Sequence, residues 1–157
     1  MGNTNRIDVT TVTFMSTWLL LHYKLPNQPS APRVYIWRKL KRLGAILLHE
    51  AVWVLPDLPR TAEQVQWLTA EIQEMGGEAF SWRASTILRE NEASIKQQFI
   101  DQVDVVYSEL LNKLKKPGAD LQEIARQYQQ TASQDFFHSK LGLRVRKKLM
   151  SRRGEKS

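Results

Sequence analysis

Apolar positions in the first half of the chain fall into six short blocks whose spacing changes from block to block. Thr17 to Pro26 is a compact apolar run ended by proline, which predicts a strand. Both of its alternating faces are apolar, with Trp18 and Leu20 on one and Leu19, Leu21 and Tyr23 on the other. Such a strand is expected to be covered on both sides. Ser30 to Gly44 follows as a helix, with Ser30 as N-cap, Pro32 in the first turn and Gly44 just past the end. The stretch from Ala45 to Asp57 reads as a β-hairpin, with His49 and Glu50 near its turn and Pro56 as its stop. Thr61 to Gly77 predicts a second helix. Thr61 and Gln64 fit a capping box, Val65, Leu68, Ile72 and Met75 make one apolar face, and Gly76-Gly77 close it. Glu78 to Thr86 alternates as a last strand, with Phe80, Trp82 and Ala84 on one side.

The order β-α-β-β-α-β predicts an α+β chain with a ferredoxin-like domain over residues 17–88. Both helices of that arrangement sit on one sheet face, so the other face needs a cover. A homodimer through that face, or the helices after residue 90, would supply it. The second half reads as a helical extension over 89–157 ending in a basic tail. Ile95, Phe99, Val103, Val106, Leu110 and Leu114 recur at intervals of 3–4, and Asp120 is placed to cap a further helix carrying Leu121, Ile124 and Tyr128. Residues 1–16 are polar and are expected to form a flexible arm without a signal-peptide core.

Charge changes the picture. The chain has 23 Lys and Arg against 16 Asp and Glu, a formal net charge of +7, which points to polyanionic partners. On a helical wheel Ile36, Trp37, Leu40 and Leu43 share one arc, the sheet-packing side, and Arg38, Lys39, Lys41 and Arg42 the opposite one. Arg33 does not sort with the other cations. It falls within the apolar arc, so it either snorkels past the helix end or makes a directed contact to a phosphate, an oxyanion or a buried carboxylate. No acid lies between Asp8 and Glu50, so nothing close in sequence neutralises this helix. A second acid-free segment carries Lys140, Arg144, Arg146, Lys147, Lys148, Arg152 and Arg153. Contacts of this kind give affinity for phosphates with strong salt dependence and little sequence selectivity.

The candidate chemistry is sparse. There is no cysteine, which excludes disulfides, thiolate metal sites and thiol catalysis and fits a cytoplasmic setting. His22, His49 and His138 are far apart and none has a second ligand at metal spacing. Phosphate-cradling glycine loops and nucleophile elbows are missing, and no apolar run approaches the roughly 20 residues of a membrane span. The reading is a non-enzyme with no cofactor, no metal and no membrane partner.

Three separated segments carry a resemblance. Residues 18–26 (WLLLHYKLP), 30–45 (SAPRVYIWRKLKRLGA) and 51–56 (AVWVLP) are similar to the N-terminal domain of the chromate-resistance regulator family ChrB. The pattern matches at Ser30, Arg33, Val34, Trp37, Arg38, Leu40, Leu43 and Gly44, and Tyr107 and Asp135 to Phe137 also fit. The resemblance implies a cytoplasmic transcriptional regulator of chromate resistance acting through DNA. Arg33, Arg38, Lys39, Lys41, Arg42 and the basic tail would then contact phosphate or an oxyanion. An alternative is a non-enzymatic module that binds chromate, another oxyanion or a protein. Full regulators of that family have a further C-terminal domain, whose absence after the basic tail is an expectation here. The same outline resembles the phenylacetate-operon repressors and the small CRISPR-associated nucleases. Those nucleases place an acid at the end of the first strand, where this chain reads His22-Tyr23-Lys24. Without carboxylates to hold a cation, metal-assisted cleavage is disfavoured.

Overall fold

A computed structural model of the protein describes residues 17–154. The expected arm over 1–16 and the last three residues of the basic tail lie outside the described residues. The chain divides into two units, one ending at Ala93 and the other starting at Ser94.

In the first unit the elements are β1 (Trp18–Lys24), α1 (Ala31–Leu43), β2 (Ile46–Leu48), β3 (Val52–Pro56), α2 (Pro59–Glu74) and β4 (Glu78–Ala84). The four strands form one antiparallel sheet in the order β2-β3-β1-β4. Leu19 pairs with Leu55 and Leu21 with Trp53, so these four side chains share a face, and all are buried. Arg33 and Trp37 of α1 line a cavity together with Tyr23, Leu47 and Trp53 of the sheet. α1 buries Ile36 and Leu40, while α2 buries Val65, Leu68 and Ile72. At the end of α1, Gly44 takes φ 85° and its N–H returns to the Lys41 carbonyl, a turn a side chain would strain.

Two details differ from expectation. Thr61 does not cap α2, because Pro59, whose fixed φ suits a first helical turn, starts the helix two residues earlier. The Thr61 hydroxyl instead accepts the Leu58 N–H at 3.0 Å from inside that turn. Ser30 occupies the N-cap of α1 as expected but makes no side-chain capping bond. The hairpin is as expected: His49 and Glu50 both take left-handed conformations, φ 51° and 57°, and the Ala51 N–H donates to the Leu48 carbonyl at 3.0 Å.

On the other sheet face Trp18 is fully buried. Its indole N–H donates to Glu92 Oε2 at 2.7 Å, and the Thr86 hydroxyl lies 3.2 Å from the same oxygen. Further along this face the cover ends: Phe80 is 59% and Trp82 52% exposed.

Helix α3 (Arg89–Leu114) runs into the second unit, which also holds α4 (Leu121–Ala132) and α5 (Lys140–Gly154). Its core joins Val103, Tyr107, Leu110 and Leu114 of α3 to Leu121 and Ile124 of α4 and Val145 and Leu149 of α5. Asp120 caps α4 as expected, accepting the Glu123 N–H at 3.1 Å. No helix among the described residues is long and apolar enough to cross a membrane.

Candidate nucleic-acid interface

The net charge is unevenly shared. Residues 94–154 hold 12 Lys and Arg against 6 Asp and Glu, while residues 17–93 hold 9 against 8. The excess therefore belongs to the helical unit, and α5 decides where it points. Burial of Gly142, Val145 and Leu149 fixes the inner stripe of that helix. Arg144, Lys147, Lys148 and Ser151 consequently face outward along one wall of a groove of about 600 Å³. The opposite wall is α3 and its end, with Ser108, Leu111, Asn112 and Lys115. Four cations and three neutral hydrogen-bonding side chains line the groove, with no acid among its described residues. Like charges brought this close repel one another unless an anion sits among them.

The remaining cations of the segment separate from this set. Lys140, Arg146 and Arg153 are exposed but do not line the groove. Arg152 is half-buried and donates through Nη1 to the Leu114 carbonyl, where it satisfies the C-terminal end of α3. That carbonyl is one of those a helix leaves without an internal partner.

The expected basic helix, α1, is not as uncompensated as its own sequence suggests. Lys39 donates to Glu71 of α2 at 2.8 Å, and the Tyr35 ring lies 4.8 Å from the ammonium. The bond from Lys39 holds the Glu71 carboxyl below its usual range and raises the Lys39 ammonium in return. Neutralisation thus comes from 32 residues away, which an inspection of neighbours along the chain misses. Arg38, Lys41 and Arg42 remain exposed. Trp37, expected on the sheet-packing side, is 49% exposed, with the Lys41 ammonium 5.8 Å from its ring. It sits at the edge of the apolar arc, and the edge strand β2 is only three residues long.

Arg33 opens onto a cavity of about 630 Å³ at the N-terminal end of α1. Lys24, Ser30, Asn27 and Tyr23 share its wall, with Trp37, Trp53 and one acid, Glu50. Burial raises the Tyr23 phenol above its ordinary range, against the opposing pulls of a hydrogen bond with Trp53 and of the Arg33 charge. No carboxylate among the described residues lies within ion-pair distance of Arg33.

A polar network in the helical unit ties Tyr107 of α3 to the start of α5. The Tyr107 hydroxyl donates to Asp135 Oδ2 at 3.0 Å, and Asp135 also accepts the Ser139 N–H at 3.0 and 3.1 Å. The Ser139 hydroxyl bonds Asp104 and accepts the Leu141 N–H at 3.1 Å, which starts α5. Among the described residues no group of three or more metal-binding side chains gathers.

The sequence model described as Protein ChrB, N-terminal, matches residues 33–135. The chain belongs to the ChrB N-terminal family. It is 26% identical over 108 residues to Protein ChrB of Cupriavidus metallidurans (strain ATCC 43123 / DSM 2839 / NBRC 102507 / CH34). That alignment takes in 69% of this chain and 33% of the relative, so the chain spans about a third of the length of that protein. No solved structure matches. The ChrB match begins at Arg33 and closes at Asp135, so both the cavity arginine and the carboxylate that holds Tyr107 lie inside it. The groove straddles its limit: Ser108, Asn112 and Lys115 fall within the ChrB match, and Arg144, Lys147 and Lys148 beyond it. Ser108, Asn112 and Lys115 were absent from the sequence candidates. Only Lys115, in the pair Lys115-Lys116, carried a signal that could have drawn notice.

Proposed function

We propose that this ChrB-family chain is a DNA-binding, non-enzymatic transcriptional regulator associated with chromate or oxyanion resistance, working in the cytoplasm. The observation that carries the reading is the acid-free groove lined by Lys115, Arg144, Lys147 and Lys148. Its cations would take successive phosphates of one strand, and Ser108, Asn112 and Ser151 would hydrogen-bond the same oxygens. Arg38, Lys41 and Arg42 offer a second, separate set of phosphate contacts, from which Lys39 is withdrawn by Glu71. The first unit is read as ferredoxin-like from its element order and sheet order together.

Fluorescence anisotropy with a labelled duplex tests this reading. Changing Arg144, Lys147 and Lys148 together to alanine is expected to weaken binding at low salt by at least 10-fold. Changing Arg38, Lys41 and Arg42 measures the second set. Unaltered binding in both variants would remove the groove and the helix from the account, and no affinity of the unaltered protein for duplex would remove DNA.

A second reading is supported by the Arg33 cavity. Arg33 and Lys24 there suit a small oxyanion, and an arginine fork can hold two of its oxygens. Calorimetry with chromate and with sulfate, on the protein and on Arg33→Gln, separates it from the first. Saturable binding that Arg33→Gln abolishes would support the cavity, and heats indistinguishable from dilution would dismiss it.

A further inference from the structure

The exposed part of the sheet face holds three aromatic rings. His22 of β1 pairs directly with Phe80 of β4, and Trp82 is two residues further along β4 on the same face. The centroids are 5.7 Å apart for His22 and Phe80, 6.1 Å for His22 and Trp82, and 6.2 Å for Phe80 and Trp82. The three planes are inclined to one another by only 13–21°. The Trp82 indole N–H donates to His22 Nε2 at 2.7 Å. Such a bond runs in the plane of both rings. Two rings joined by it and nearly parallel therefore lie side by side, not one above the other. Phe80 is nearly parallel to both and almost equidistant from them, so the three ring planes share one orientation.

We infer that this patch is a stacking platform for the unpaired bases of a single-stranded nucleic acid. Aligned aromatic faces on a sheet are what flat heterocycles stack upon, and stacking tolerates any base because every base has a π-face. The indole N–H is already satisfied within the patch, so the rings offer faces and no unmet polar demand. A second copy of the chain fits less well. Phe80 and Trp82, at 59% and 52% exposure, show roughly 250 Å² between them. A stable dimer hides about 800 Å² on each partner. Charge agrees in sign, since the chain carries +7 and Lys24 follows His22 on the same strand face. Glu78 stands opposite Lys24 in the register, so stacking dominates the contact and its salt dependence is shallow.

The test uses the whole chain and two labelled oligomers of equal length, one of thymidines and one of abasic sugar-phosphate. Phe80→Leu and Trp82→Leu keep apolar area but remove ring faces. Each is expected to bind the thymidine oligomer between about 5- and 150-fold more weakly, with the abasic oligomer unaffected. Equal thymidine affinity in wild type and both variants would overturn the inference. So would light scattering that shows a dimer lost in Trp82→Leu with thymidine binding intact, which would give the patch to a second copy. The inference rests on the reading of the chain as a nucleic-acid binder, and the groove variants keep the two apart. Duplex binding lost from the groove variant, with the leucine effects retained, supports the platform on its own. Loss of duplex discrimination in every variant, with thymidine discrimination preserved, sinks the groove and leaves the platform standing.

Discussion

Changing Lys147 and Lys148 to alanine perturbs the groove with little else at stake. Both side chains are exposed on α5, whose packing is made by Val145 and Leu149, so stability should move by no more than about 0.5 kcal/mol. The binding effect can be worked from the number of cations. Each phosphate neutralised on duplex DNA contributes about −0.9 to the slope of log K against log salt. The four groove cations together supply about −3.6, and the double variant removes about half of that. Between 50 and 200 mM salt, the advantage of wild type over the variant should shrink by roughly 12-fold. Anisotropy titrations of one duplex at five salt concentrations would measure both slopes. Lys147→Arg with Lys148→Arg keeps the charge and should keep the slope. Arg152→Gln, which removes the donor to Leu114, should lower thermal stability while leaving the slope within error. A double variant whose slope equals that of wild type would refute the phosphate role of this groove, whatever its affinity at a single salt concentration.

Other outcomes follow from the same contacts. Tyr107→Phe removes a hydrogen bond to a carboxylate that retains the Ser139 N–H, and should cost about 1.5 kcal/mol, a fall in Tm of roughly 3–6 °C by differential scanning calorimetry. Burial, aided by the Asp135 charge, holds the Tyr107 phenol well above its ordinary range. Its stabilisation is therefore complete below the unfolded tyrosine range near pH 10 and is lost as pH rises beyond it, so the Phe variant should show a smaller alkaline decline. Gly142→Ala sets a new Cβ 2.8 Å from the Tyr107 ring and should destabilise by about 1–3 kcal/mol, read by denaturant midpoint. Glu71→Gln should cost at most about 1 kcal/mol at pH 7, because the pair with Lys39 is partly exposed. Since the Glu71 carboxyl is held low, that difference is present above the ordinary carboxylate range and vanishes as pH falls through the folded value. If α1 meets a polyanion, the same change frees Lys39 and tightens duplex binding.

Periodicity carried most of the fold. The alternation of Leu19, Leu21 and Tyr23 and the 3–4 spacing of Val65, Leu68 and Ile72 marked buried faces, because the backbone geometry that sets those periods is local. Gly44 and Gly76 marked helix ends for the same reason. Pairings between distant segments were not legible. Glu71 reaches Lys39 across 32 residues, and Arg152 turns back to Leu114 across 38. Each takes away a cation that its own segment presented as available. The groove was half legible: α5 announced its charge, but Ser108, Asn112 and Lys115 acquire meaning only through helix packing. The aromatic patch was hidden differently. Phe80 and Trp82 were visible as one side of a strand, yet nothing in their spacing told that His22 would join them and that the side would stay open.

The hairpin tip of β2 and β3 carries a conformational cost in the folded chain. Asn and Gly are the residues that relieve two consecutive left-handed positions, and this turn is built from His49 and Glu50 instead. Holding ordinary side chains there costs about 1–2 kcal/mol per residue. A chain selected for stability alone would have shed that cost, because stabilising substitutions are easy to reach. Glu50 is the one acid on the described wall of the Arg33 cavity. Glu50 thus combines a costly backbone conformation with a carboxylate on the same cavity wall as Arg33 and Lys24. Replacing His49 by Asn and Glu50 by Gly should therefore give a sturdier protein, with its melting point raised, at the loss of the one acid on the described wall of that cavity.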